Sequence, residues 1–562
     1  MNQAEKTLAI LMALGSFLIT ITVNSWNVNE PVNAPKLLVL SALAGGALFF
    51  AVQNKDRFVD FSKLKFFKAV AGLFLLSALL SIFFSESSVI NGFYGTYGRN
   101  TGFLAYLCLV ILLLASTLLH SASANKIVLN GLFYAGVINL VYFVFTRFGI
   151  ELISWSNGFG RILGTFGNPN FVGAFMGIFV ILCSVRLIDK NTSIKWRILL
   201  AILILIAMYE VKLSLAVQGI VIICLGWSII GFYYIRSKSE SKIFLIAYSA
   251  LLGVIGAFAI AGALQKGPLA SLIYKTSVSL RGEYWYAGWQ MGITHPFFGV
   301  GMDSYGIWYR RMRDPSALIL PGPETTSDAA HNIFMDIFAS GGFPLFTAYI
   351  LLNSYVLLHI WKGFKFFKKF DPVYVSLIAV WICYQTQSII SINQIGLAIW
   401  GWIPGGLIIG YVRAQIRNES DNSPPPQSSP KVKGRNAVKK SQPVFLSLML
   451  LGIFVGGAVA APPVIADSKW YASQVKLDPA TIANDSKVWP LEALRLMQAS
   501  NLYTKNNVPT TGLELARFTV EKFPNNFYAW RVLSTTPGLT EIEKAKAKTE
   551  MHRLDPLNPE FK

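Results

Sequence analysis

Residues 243–263 read IFLIAYSALLGVIGAFAIAGA, with no charged side chain among them. A second apolar run occupies 333–358, and the polar stretch 264–330 lies between the two. At about 1.5 Å of rise per residue, a helix of some 20 residues crosses the ~30 Å hydrocarbon core of a bilayer. Working outward from this pair, ~20-residue apolar windows give about thirteen spans. They fall near 8–23, 36–53, 67–84, 101–119, 127–147, 171–188, 197–211, 213–234, 242–263, 333–358, 373–391, 396–412 and 444–461. The composition agrees. Of the 562 residues 53% are hydrophobic and 14% charged, against about 25% charged in soluble domains. The sequence therefore predicts an all-α polytopic membrane protein of about thirteen transmembrane helices. No small-residue cleavage site follows the first apolar run, so that run reads as a retained span.

The net charge of +20 is read as membrane topology rather than nucleic-acid binding, because Lys and Arg accumulate in cytoplasmic loops. With the N-terminus inside, the cytoplasmic segments hold 25 of the 49 basic residues, and the short external segments among the first nine spans hold five. An odd number of spans then puts the C-terminal tail outside. The expected organisation is a transmembrane catalytic domain over 1–412, with an extracytoplasmic loop at 264–330. A Pro/Ser-rich, basic, disordered cytoplasmic linker follows at 413–442, then a last span at 443–461 and a helical extracytoplasmic tail at 462–562. The tail, with Phe523-Pro524-Asn525-Asn526 ahead of one helix and Leu554-Asp555-Pro556 after another, resembles a tetratricopeptide-type helical pair. One or two such units do not bury a core alone, so the tail is expected to lean on the membrane domain or a protein partner. Its role is expected to be regulatory or acceptor-selecting. The four cysteines (Cys108, Cys183, Cys224, Cys383) lie in apolar runs with no metal or disulfide spacing.

The chemistry-bearing residues gather in the external segments. Arg281 opens the aromatic stretch Arg281-Gly282-Glu283-Tyr284-Trp285. A guanidinium there could snorkel to lipid phosphates, or grip a substrate diphosphate in its planar fork. His331 follows Ser327-Asp328-Ala329-Ala330, a candidate N-cap, at the mouth of the span from Ile333. A helix N-terminus favours neutral imidazole, the form a general base requires; a capping or interfacial histidine is the plainer reading. Arg161 precedes Gly164-Thr165-Phe166-Gly167-Asn168-Pro169-Asn170, and Arg99 lies in Tyr97-Gly98-Arg99-Asn100-Thr101-Gly102. Both are external, and both could equally be anchors. Arg310, Arg311 and Arg313 read first as a solvated surface facing anionic headgroups. No Asp-rich metal motif and no glycine-rich phosphate loop is present, so neither a metal nor a nucleotide cofactor is implied.

The order Arg281…Trp285, then His295-Pro296-Phe297-Phe298-Gly299-Val300-Gly301, then His331-Asn332 separated by nine residues from Gly342, resembles the O-antigen ligase/polymerase superfamily of membrane glycan transferases. The His-Asn…Gly signature is its most specific part, and the resemblance covers roughly 8–412. It implies glycosyl transfer from an undecaprenyl-diphosphate-linked glycan donor to a glycan, lipid or protein acceptor. The setting would be the external face of the inner (plasma) membrane, among membrane lipids, without cofactor or nucleic acid. It further implies His331 and Arg281 as catalytic residues, with Arg161, Arg99, Lys212 and Asn332 binding substrate. One departure stands out: where many ligases carry a Ser-Arg pair, this chain reads Lys212-Leu213-Ser214-Leu215, leaving Lys212 as the substitute. The alternative class is a transporter or flippase of lipid-linked glycans, which would call for inverted repeats and broken helices at mid-membrane.

Overall fold

The computed structural model describes residues 1–58, 64–153, 160–239, 241–274, 276–421, 446–476 and 478–561. In chain order its helices are α1 Gln3–Ile21, α2 Asn33–Gln53, α3 Lys65–Phe84, α4 Val89–Tyr94, α5 Phe103–Ser116, α6 Ala122–Arg147, α7 Pro169–Ile188, α8 Ile194–Ser214, α9 Val217–Lys238, α10 Lys242–Ala263 and α11 Ala270–Ile273. There follow α12 Thr276–Thr294, α13 Tyr305–Met312, α14 Ile333–Phe366, α15 Pro372–Ser388, α16 Ile395–Asp421, α17 Ser447–Lys476, α18 Pro479–Ser486, α19 Ala493–Lys505, α20 Pro509–Lys522, α21 Phe527–Thr535 and α22 Glu541–Leu554. Among the described residues there is no strand.

Ten of these helices are long and apolar enough to cross a membrane: α1, α2, α3, α6, α7, α9, α10, α14, α16 and α17. This is a multi-pass membrane protein. Three of the thirteen expected windows fall short on length or charge. α5 is apolar but has 14 residues, α15 has 17, and α8 carries Lys195, Arg197, Glu210 and Lys212. Two boundaries also move. The stretch expected to open a disordered linker at 413 is helical to Asp421, as the end of α16, while 422–445 lies outside the described residues. The last span does not stop at 461 but continues as α17 to Lys476.

The two faces of the bundle are fixed by polar stitches. On the N-terminal face, Glu5 accepts from the backbone amides of His120 and Ser121. About 28 Å away, one α1 length, the other ends meet. Asn33 Nδ2 donates to Gly98 O, Thr96 N donates to Asp303, and Asp467 near the end of α17 accepts from Glu30 N and Tyr97 Oη. Loop 95–102, the polar stretch after α10 and the C-terminal tail therefore share the face opposite the N-terminus.

α17 is seated antiparallel on α2 through small residues. A Cβ added at Gly45 or Gly452 would overlap the other's carbonyl, and one at Gly456 would overlap that of Ser41. Such close backbone approach is how transmembrane helices gain packing contact when lipid and side chains are equally apolar.

Candidate functional site

The site is built on α12, α13 and the first turns of α14, which share a small core of Ala287, Met291, Tyr305, Trp308, Tyr309, Ala330 and Ala339. The break that shapes it is in α14. Gly342 has φ +64° and ψ −158°, outside helical space, a conformation glycine adopts without a Cβ clash. Residues 295–301 fill the break. Phe343 N donates to Pro296 O at 2.8 Å, Val300 N to Ala339 O at 2.9 Å and Gly301 N to Ser340 O at 3.2 Å. Any side chain at Gly342 would run into the Pro296 carbonyl. Non-helical backbone at membrane depth persists only when its polar groups are satisfied in this way.

The N-terminus of α14 is closed by Asn332, whose side-chain oxygen accepts from Phe334 N at 2.9 Å and Met335 N at 3.3 Å. The expected cap at Ser327-Asp328 is thereby corrected, and Asn332, expected to bind substrate, is placed as a capping residue. Asn332 and Gly342, the fixed points of the sequence signature, cap and break one helix. His331 stands just before that cap in the left-handed region, φ +52°. Few residues other than glycine hold this conformation, and it is often seen where strain serves a site. Behind it, Ala330 N donates to Asp336 Oδ1 at 2.7 Å.

The His331 ring lies against Tyr284, with centroids 5.4 Å apart and planes tilted 30°. Burial, reinforced by the charge of Arg281, lowers its pKa to about 4, against a weaker opposite pull from Asp328. The imidazole is neutral at ordinary pH, held so by desolvation and a neighbouring guanidinium. Arg281 is half-buried on α12, and its Nε donates to Ile390 O at 3.0 Å. Its guanidinium also influences Tyr284. Fifty positions apart in sequence, Arg281 and His331 belong to one electrostatic neighbourhood.

The other expected residues separate. Arg99 is at the site but 9% exposed. Its Nε is 3.0 Å from Asp303 Oδ1 and its Nη1 donates to Asp328 O at 2.9 Å. Asp303 in turn accepts from Thr96 N and Thr101 N. Burial opposes the charge on Arg99, yet its aspartate neighbours leave its pKa raised. Arg99 thus braces the loop ahead of His331. Arg161 is exposed ahead of the turn into α7, and Lys212 is exposed near the end of α8. In the segment after Arg161, Asn168 caps α7 by accepting from Asn170 N, and Gln218 donates to Asn170 O. Arg310 and Arg313 overturn the solvated-surface expectation: they are 2% and 3% exposed, and both pair with Asp555 of the tail. Asp303 was visible in the sequence only as one of several external carboxylates (Glu283, Asp303, Glu324, Asp328); its pairing with Arg99, the brace Asp336 and the ring of Tyr284 were not. Nothing in their spacing marks them.

With this geometry in view, the comparison with protein families is specific: residues 199–350 match the family model described as O-antigen ligase. This segment is similar to the O-antigen ligase family over about a quarter of the chain. The match takes in Lys212, Arg281, His331, Asn332 and Gly342, and leaves Arg99, Arg161 and the tail outside it. No curated protein matches the chain. Similarity to that family in a multi-pass membrane protein supports a glycan-transferring role of the ligase or polymerase kind.

Proposed function

We propose that this protein transfers a glycan from a polyprenyl-diphosphate carrier of the undecaprenyl type to an acceptor hydroxyl at the external face of the plasma membrane. The observation that carries the reading is a neutral, half-buried His331 under the electrostatic influence of Arg281, at the mouth of the broken helix α14. In this reading Arg281, with Arg161, neutralises the leaving diphosphate, and the interaction strengthens as the glycosidic bond breaks. His331 takes the proton of the attacking hydroxyl. A single displacement inverts the anomeric carbon, since no nucleophilic carboxylate pair is invoked. The 264–330 loop and the tail are the external parts, consistent with the 25-to-five contrast in basic residues.

An imidazole of pKa about 4 is a weak base in the empty site. A bound diphosphate supplies negative charge beside Arg281, offsets the guanidinium's effect and raises the imidazole toward its ordinary ~6.5. Base strength thus appears when donor is present.

A broken helix is also found in transporters, and α14 is broken at Gly342. One experiment separates the two readings: the purified protein in detergent, given lipid-linked oligosaccharide and acceptor, without two compartments. Product formation that disappears in His331→Ala supports transfer. No product from the wild-type protein, with glycan movement across proteoliposome membranes, would replace it with transport.

A further inference from the structure

The sequence reading left the tail as an accessory and the α13 arginines as surface. The structure joins them. Asp555, just after α22, is fully buried; its Oδ2 lies 2.6 Å from Arg310 Nη1 and its Oδ1 2.6 Å from Arg313 Nη2. The same two guanidiniums donate to Pro323 O, at 3.1 and 2.8 Å, and Arg310 also reaches Glu324 O at 3.3 Å. Tyr528 Oη of α21 is 3.1 Å from Arg310 Nη2 and 3.3 Å from Thr326 Oγ1. One tail carboxylate is therefore the buried counter-charge shared by two arginines that hold the chain at 323–324, a few residues ahead of His331; the half-exposed Glu324 carboxylate adds a longer contact of 3.8 Å to Arg310 alone.

We infer that the C-terminal tail is a working part of the transfer site, its Asp555 carboxylate holding in place, through Arg310 and Arg313, the 321–331 loop that presents His331. The inference rests on the transfer reading above and gives the tail a positioning role within it. Two routes carry the constraint. Along the chain, the loop is pinned at one end by the arginines and at the other by Arg99 on Asp328 and Asp336 on Ala330. Across α13, Tyr305 Oη donates to Tyr284 O at 2.6 Å and Tyr309 meets the Tyr284 ring at 5.8 Å; Tyr284 is the ring against His331. Two guanidiniums cannot remain buried once their carboxylate is gone, because an uncompensated buried charge must rehydrate. They would leave the Pro323 carbonyl as they do so.

The test is Asp555→Asn in the full chain, with Tyr528→Phe as a milder second variant and Arg517→Ala, at an exposed ion pair of the tail, as control. Three quantities are read: kcat and KM for transfer, the acid limb of kcat/KM, and hydrogen exchange over 313–331. His331's proton affinity is set by its burial and by Arg281, Arg99 and Asp328. A loosened loop therefore moves the acid limb up from about 4 toward the ordinary ~6.5. We expect faster exchange over 313–331 and kcat lowered roughly tenfold to a hundredfold, as for a base displaced by an ångström. KM should change little, Tyr528→Phe should move the same way by less, and the control should match wild type. Wild-type exchange in a folded Asp555→Asn protein overturns the inference. So does faster exchange with kcat and acid limb unchanged, which reduces the tail to a docked ornament. If Asp555→Asn fails to fold, wild-type behaviour of Tyr528→Phe in all three readouts overturns it as well. A wild-type protein that transfers nothing overturns the transfer reading instead, and the exchange readout still judges the clamp.

Discussion

Two arginine sites come from one loop and do opposite things. At α13, Arg310 and Arg313 close on a single buried carboxylate, and the guanidiniums serve as fasteners. At α12, Arg281 donates to a neutral carbonyl, that of Ile390, and stands where it lowers the proton affinity of a histidine. The first arrangement satisfies charge internally. In the second, the charge of the guanidinium acts on a neutral base. Exposure follows the same division: Arg310 and Arg313 are fully buried, whereas Arg281 is half-buried.

The contrast can be broken most directly at the base. His331→Ala should cut turnover about 10²- to 10⁴-fold, the usual worth of a general base, with the detergent-solubilised protein still monodisperse; a loss under tenfold would remove His331 from the chemistry. Arg281→Lys should cost about 10²-fold in kcat, because a point charge lacks the planar fork, with thermal stability held. Arg313→Ala should show the reverse weighting: stability falls by about 3–5 kcal/mol, as when one partner of a buried pair is removed, measured by denaturant midpoint. Equal stability losses at 281 and 313 would erase the distinction between field and fastener.

Two smaller effects sharpen it. Gly342→Ala should destabilise by about 1–3 kcal/mol through forced displacement of the Pro296 carbonyl and lower turnover in step, read by thermal melting beside the transfer assay. Finally, the acid limb of kcat/KM should lie near 4, the value for His331 in the free protein, and that of kcat should lie higher. As pH falls through each value the imidazole takes a proton and the base is lost; kcat reports the complex, in which bound diphosphate has raised the imidazole. Coincident limbs would mean that donor charge does not reach His331.

The spans were legible because apolar runs of membrane length admit few other readings. Where the count fell short, at α5, α8 and α15, length or charge was the cause. The His-Asn…Gly signature could be seen in the sequence, but its physical content could not. That Asn332 caps a helix and Gly342 breaks it depends on residues 295–301 returning alongside. Asp555 was the least legible of all. It sits 242 positions from Arg313, and no local pattern announces a carboxylate that will be buried between two arginines. The pairing of Arg99 with Asp303 was hidden for the same reason, since the two lie some 200 residues apart.

The glycine seam between α2 and α17 sets an order of events in biosynthesis. Gly45 leaves the ribosome about 400 residues before Gly452, an interval of roughly 20 to 80 s at ordinary elongation rates. Throughout it, the face of α2 that α17 will cover meets only lipid and earlier helices. Closing the seam is therefore among the last steps of assembly, and it delivers the tail to the His331 face only after the rest of the membrane domain has been made.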